Sequence, residues 1–197
     1  MSLILGVDPG HGGEDDGAVA NGITEADWNM VFARFLTQRV NKGGQPWKAV
    51  LLRSHESETV SLMERGEKSK TSMCDLVFSI HVNAMRSHPE WHGLTTYHWP
   101  GSWVARELGN TLMRCAPKPL FKPGWGSTSC DDDLGDWIQN PRNVLRVHQC
   151  PAVLIEVGYC TNKNDAAVLC EGAIRAGLAS MIELTLSHYR FMKERTP

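Results

Sequence analysis

The chain lacks several features that would assign it quickly to a class. No apolar run among its 197 residues is long enough to span a bilayer, which excludes a membrane-spanning helix. Acidic and basic residues nearly cancel, with a formal net charge of −2. No strong field therefore calls for nucleic acid or an anionic membrane surface. Cysteine occurs six times but never as C-x-x-C, at positions 74, 115, 130, 150, 160 and 170. That spacing argues against a zinc cluster made of cysteines, and the expectation is buried free thiols in a reducing compartment. There is no internal repeat and no interdomain linker, so one domain over residues 1–197 is expected. The first apolar run stops at Asp8 and has no basic start, so no signal peptide is visible. Either the protein is made in the cytoplasm without one, or the sequence begins after it. A monomer is expected.

What is present alternates between two periods. Residues 3–7, 49–52, 76–80, 94–97 and 152–155 read as strands, and 144–147 reads as a further one. Residues 24–41, 59–71, 102–115 and 165–192 read as helices, the last interrupted near Gly172. On the first helix Trp28, Phe32, Phe35, Leu36 and Val40 fall on one face. Strand–helix alternation predicts an α/β fold: a central, mostly parallel mixed sheet of about six strands, with helices on both faces. The pattern lapses over 117–143, a segment rich in proline and glycine that also holds Asp131-Asp132-Asp133, Trp125 and Trp137. A long aperiodic segment is usually a functional or flexible loop; the two tryptophans either stack on substrate or, as is expected, anchor the loop.

Chemistry-bearing residues sit at the ends of the apolar runs. In open α/β sheets functional groups collect beyond the carboxyl ends of the strands. Asp8-Pro9-Gly10-His11-Gly12-Gly13 follows the first strand, and its glycines let the backbone turn sharply around His11. Taken alone, a histidine in such a turn is more often structural than a ligand. Thr24 looks like a helix N-cap, with Asp27 placed for the reciprocal capping bond, so Glu25 is not needed for capping. Glu25 lies at i−3 and i−7 from Trp28 and Phe32, on the inward stripe, where an unpaired carboxylate is costly. It either eases the helix dipole or serves as a ligand for a buried cation.

His81 closes Ser79-Ile80-His81-Val82-Asn83-Ala84, where alternation puts Ser79, His81 and Asn83 on one face. It is either a satisfied core histidine or a third ligand. Two imidazoles and a carboxylate, with a fourth position open to water, are the set a catalytic zinc prefers. Zinc hydrolysis of an amide also needs a proton acceptor that later serves the leaving amine. Glu156 ends the run 152–155 in desolvated surroundings and is the candidate; its other reading is a structural salt bridge. His88 and His92 flank Pro89 and read as loop residues, while His98 ends a strand and is a candidate neighbour of the cleft.

These segments resemble a known family. Asp-Pro-Gly-His-Gly-Gly at 8–13, Glu25, Ser-Ile-His-Val-Asn-Ala at 79–84 and Ile-Glu-Val-Gly-Tyr-Cys-Thr-Asn at 155–162 are similar to the zinc-dependent N-acetylmuramoyl-L-alanine amidases of the amidase-3 type. Ser61-Leu62-Met63-Glu64-Arg65 also fits. Bacterial autolysins and many phage endolysins belong to that family. The resemblance implies one zinc per chain, held at the positions of His11, Glu25 and His81, with Glu156 as catalytic base and acid. It implies peptidoglycan as the partner and cleavage of the amide between the lactyl group of N-acetylmuramic acid and L-alanine of the stem peptide. Asn83 would orient the substrate.

Lys68-Ser69-Lys70 departs from the family's usual Ala-Asn pair, as do Tyr159 and Cys160 from its Phe and aliphatic; the 117–143 segment matches least. No separate wall-binding repeat is present. The protein is expected to act on the wall after release from the cytoplasm. A different single-zinc carboxypeptidase or amidohydrolase is the alternative, and a catalytically silent wall-binding module is disfavoured because all four candidate positions are filled.

Overall fold

The computed structural model describes residues 2–43, 46–122, 124, 126–129 and 141–195, the side chains of 141 and 142 excepted. The chain runs β1 (Leu3–Pro9), a small hairpin of β2 (Val19–Ala20) and β3 (Ile23–Thr24), α1 (Glu25–Lys42), β4 (Trp47–Leu51), α2 (Leu62–Thr71), β5 (Leu76–Asn83), β6 (Thr95–His98) and α3 (Trp103–Arg114). A 3-10 turn (Lys118–Leu120), β7 (Thr128–Ser129), a second 3-10 stretch (Pro141–Arg146), β8 (Ala152–Tyr159), α4 (Lys163–Cys170) and α5 (Gly172–Arg195) follow.

Six strands form one sheet in the order β4-β1-β5-β8-β6-β7. β4, β1, β5 and β8 are mutually parallel, whereas β6 runs antiparallel to β8. The central strands β5 and β8 are buried along almost their whole length, as parallel strands covered on both faces must be. Alternate residues feed two cores. Leu5, Val7, Phe78, Ile80, Val153 and Ile155 join the larger one beneath α1, α3 and α5. Val77, Leu154 and Leu52 join a thinner one with Val144 and Leu145, which Leu62 of α2 packs against. This is the expected single α/β domain with a mixed sheet.

Some local expectations fail. Residues 144–147 are not a strand: Pro141–Arg146 is a 3-10 stretch, and Val144 and Leu145 are both buried. A strand would turn one of these neighbours away, whereas a helical turn seats both on the thin face of the sheet; a run of four apolar residues fits either. Phe35 is 37% exposed, because the buried arc of α1 is centred on Asn29, Ala33, Leu36 and Val40. At about 100° per residue, Phe35 falls well outside that arc. Thr24 is the N-cap of α1 but makes no side-chain capping bond. The backbone carbonyls of Ala18 and Asp16 accept from the Glu25 and Ala26 amides instead.

The break before Gly172 is real, since Glu171 is extended (ψ 130°). Cys74, Cys115, Cys150, Cys160 and Cys170 are free thiols, but only Cys160 is fully buried and Cys170 is exposed. Trp125, Trp137, Cys130 and Asp131-Asp132-Asp133 lie outside the described residues.

Candidate active site

The parallel strands deliver the site. β1 and β5 are register neighbours, with Asp8 opposite Ser79 and Pro9 opposite Ile80, so the chain ends that follow them emerge side by side. His81 in turn is paired with Glu156 on β8. The four residues singled out from sequence therefore meet beyond one edge of the sheet, where His11, Glu25, His81 and Glu156 line one cavity of about 560 Å³.

The turn after β1 is forced into shape from below. His11, Gly12 and Gly13 all have positive φ, at 58°, 118° and 66°. For the two glycines this is free of steric cost; for His11 it stores strain of order 1–3 kcal/mol that the surroundings must hold. They do so with two buried arginines. Arg53 is fully buried and donates to the carbonyls of Pro9, Gly10 and Ala26, tying the turn to α1. Arg65 of α2 pairs with buried Asp8 and donates to the carbonyls of Pro9 (2.8 Å) and His11 (2.9 Å). Asp8 also accepts from Ser79 at 2.8 Å. Burial opposes ionisation of Asp8, but the Arg65 guanidinium, with His148 and the Ser79 hydrogen bond, outweighs it and holds the carboxyl below the usual range. α2 is fixed in turn by the capping box of Ser61 and Glu64.

Close approach explains two more glycines. A Cβ on Gly10 would overlap the His81 ring, and one on Gly17 would stand 2.7 Å from the Glu25 carboxylate.

Glu25 is the centre of the arrangement and is only 5% exposed. Its Oε2 accepts from the Ala18 amide (2.9 Å), and its Oε1 accepts from the Val82 amide (3.1 Å). The same Oε1 lies 3.0 Å from His81 Nδ1 and 3.3 Å from His11 Nε2. His11 Nδ1 is engaged by Asp15 Oδ2 at 2.7 Å, which leaves Nε2 facing the cluster. Burial raises the Glu25 pKa, yet hydrogen bonds and charge from His11 and His81 prevail and pull it well below the carboxylate range. Burial likewise disfavours protonated His11, but Glu25 and Asp15 raise its pKa to about 9.

Three potential ligand atoms from His11, Glu25 and His81 lie within 4.8 Å of one another, so the group could hold one metal ion. The donor set and spacing fit zinc: ligands about 2.0–2.1 Å from a tetrahedral ion stand roughly 3.3 Å apart. Asp15 is the carboxylate that commonly backs a metal-bound imidazole and fixes its tautomer.

Asn83 lines the same cavity, and its Oδ1 accepts from the Ala84 amide at 2.8 Å. His81 and Asn83 both line the cavity, and the register shift between them lies on β8, where Asn83 pairs with Tyr159. His88 and His92 are exposed loop residues, as expected. His98 is not a neighbour of the cleft. β6 runs antiparallel, so His98 pairs with Val153 at the start of β8 and lies at the opposite end of the sheet, against Ser127. Sequence reasoning missed Asp15, Gly17 and Arg53; the one available signal was an acidic residue four positions after His11 in a glycine-rich turn.

The chain is similar to known proteins in sequence and in fold. The chain is 30% identical over 185 residues to the N-acetylmuramoyl-L-alanine amidase LytC of Bacillus subtilis, covering 93% of this chain and 35% of LytC. It is 31% identical over 176 residues to the endolysin of Bacillus phage SPP1, covering 86% of this chain and 59% of that protein. It thus spans about a third and somewhat over half of these relatives. The crystal structure of an N-acetylmuramoyl-L-alanine amidase from Clostridium difficile 630 shares the fold, with a TM-score of 0.83 at 23% identity over 99% of both chains. Residues 5–187 match the family described as N-acetylmuramoyl-L-alanine amidase, and the chain belongs to that family.

Proposed function

We propose that this chain hydrolyses the amide between the lactyl group of N-acetylmuramic acid and L-alanine of the peptidoglycan stem peptide. His11, Glu25 and His81 would hold one zinc, and Glu156 would be the general base and acid. The observation that carries this reading is the convergence of the His11–Glu25–His81 group and Glu156 on one cavity. Family membership supports the same chemistry.

Zinc, when bound, supplies Lewis acidity that polarises a carbonyl and acidifies a water. The chain's own residues do the rest. Asp15 accepts a hydrogen bond from His11 Nδ1 and so keeps Nε2 turned toward Glu25. The amides of Ala18 and Val82 hold the Glu25 carboxylate in one orientation. Glu156 is 7% exposed and opposite His81 in register, which supports its role in taking a proton from the attacking water. It returns that proton to the departing alanine nitrogen. Asn83, on the cavity wall, orients the substrate.

Digestion of purified peptidoglycan followed by mass spectrometry tests the reaction. Intact stem peptides with a free L-alanine amino terminus are expected. New reducing sugar ends without such termini would show a glycosidase, and free amino acids would show a carboxypeptidase.

A further inference from the structure

β5 carries His81 and Asn83 to the site and then runs into a loop over residues 84–94. The loop begins on the cavity wall at Ala84 and is tied down at several points. Met85 N donates to Thr161 Oγ1 (2.9 Å), Asn162 Nδ2 to the Pro89 carbonyl (2.9 Å), and Gly93 N to Asp165 Oδ2 (2.6 Å). These anchors follow the end of β8, so the loop sits on the edge of the sheet that carries Glu156.

On this loop stands Trp91, 45% exposed. Its ring stacks on the His88 imidazole, with centroids 5.2 Å apart and an interplanar angle of 14°, and meets the Tyr159 ring edge-on at 6.5 Å. Tyr159 lies three residues beyond Glu156 on β8, and Lys122 Nζ stands 5.3 Å from its ring centroid. His88 is held in turn by Glu90, at 3.0 Å. Trp91 is therefore a large aromatic side chain, nearly half exposed, braced by His88 and Tyr159. The exposed tryptophan on α3, Trp103, follows the end of β6 and lies at the opposite end of the molecule.

A flat, partly exposed aromatic ring matches a pyranose ring, whose axial C–H bonds make an apolar face. A flexible stem peptide offers no such face. We propose that Trp91 is a stacking platform for a sugar ring of the glycan strand that bears the scissile amide. The inference rests on the reading of the site as a peptidoglycan amidase and deepens it, by assigning where the glycan rather than the peptide is gripped.

The test is calorimetric titration of the metal-loaded protein with peptide-free glycan strands, with free stem peptide as the second probe. Trp91→Ala is expected to bind glycan strands roughly tenfold more weakly, and Trp91→Phe to keep most of the affinity. Trp91→Ala should also raise KM on polymeric peptidoglycan. Unchanged melting temperature and zinc content exclude misfolding as the cause. Wild-type protein that does not bind glycan strands, equal binding by Trp91→Ala, or a Trp91-dependent loss seen only with the peptide would overturn the proposal. Glycan binding that depends on Trp91, without any amide cleavage, would sink the amidase reading and leave the platform standing. Amide cleavage with Trp91-independent glycan binding would do the reverse.

Discussion

Asp15 Oδ2 lies 2.7 Å from His11 Nδ1, four residues away across a turn with three successive positive-φ residues. The same carboxylate accepts from the Gly17 amide through Oδ1 at 3.0 Å, so it is itself oriented. His11 thereby reaches the cluster with its ring position fixed and Nε2 toward Glu25. Replacing Asp15 by Ala should weaken zinc affinity about 10–100-fold while the fold persists. Competition against a chromophoric chelator measures this; an unchanged dissociation constant would remove Asp15 from its supporting role.

Arg65 and Asp8 form a buried pair between α2 and the end of β1. Removing one partner leaves a buried charge uncompensated, so Arg65→Ala should cost about 3–5 kcal/mol. For a chain of this size each kcal/mol lowers Tm by about 2–4 °C. Calorimetry reads the shift directly. A loss below 1 kcal/mol would mean that the pair does not hold the His11 turn in place.

Gly10 has no room for a side chain against His81. Gly10→Ala should displace the His81 ring, so zinc content should fall well below one per chain even where the protein stays folded. Metal analysis of the folded fraction checks this. A fully loaded, active variant would contradict the placement of His81.

Metal-free protein should show a bounded pH window of stability. His11 is raised from 6.5 to about 9, so its contribution is complete below pH 6.5 and is lost as pH rises toward 9. Glu25 is depressed below its usual 4.5, so its contribution is present above pH 4.5 and is lost as pH falls further. Stability after chelation should therefore be greatest between about pH 4.5 and 6.5 with respect to these two groups. Metal must displace the His11 proton, so zinc should stabilise more at pH 8 than at pH 6. Melting temperatures with and without zinc across this range decide it. A zinc effect that shrinks with pH would contradict the arrangement.

Much of this was legible because the architecture is layered. His11, His81 and Glu156 each follow an apolar run, and parallel strands bring such run-ends to one edge. Glu25 stood out because it interrupts an inward stripe. The missed features depend on relationships that periodicity does not carry. The α1 amides are satisfied by the Asp16 and Ala18 carbonyls, so the good capping residue Thr24 goes unused. Arg53 is an arginine at the end of a strand, which reads as a surface residue until the carbonyls of the His11 turn are placed around it. His98 ends a strand like the others, but strand direction decides which edge it reaches, and the reversal of β6 is set by pairing with β8.

The central claim is that one metal group and Glu156 act together on the lactyl–alanine amide. The most direct measurement sets zinc content beside the release of free L-alanine amino termini from peptidoglycan, for wild type and Glu156→Gln. The account predicts about one zinc per chain in both, with amino termini released by wild type and release by Glu156→Gln reduced at least about 100-fold. Full release by Glu156→Gln, or wild-type cleavage that survives complete removal of zinc, would contradict it.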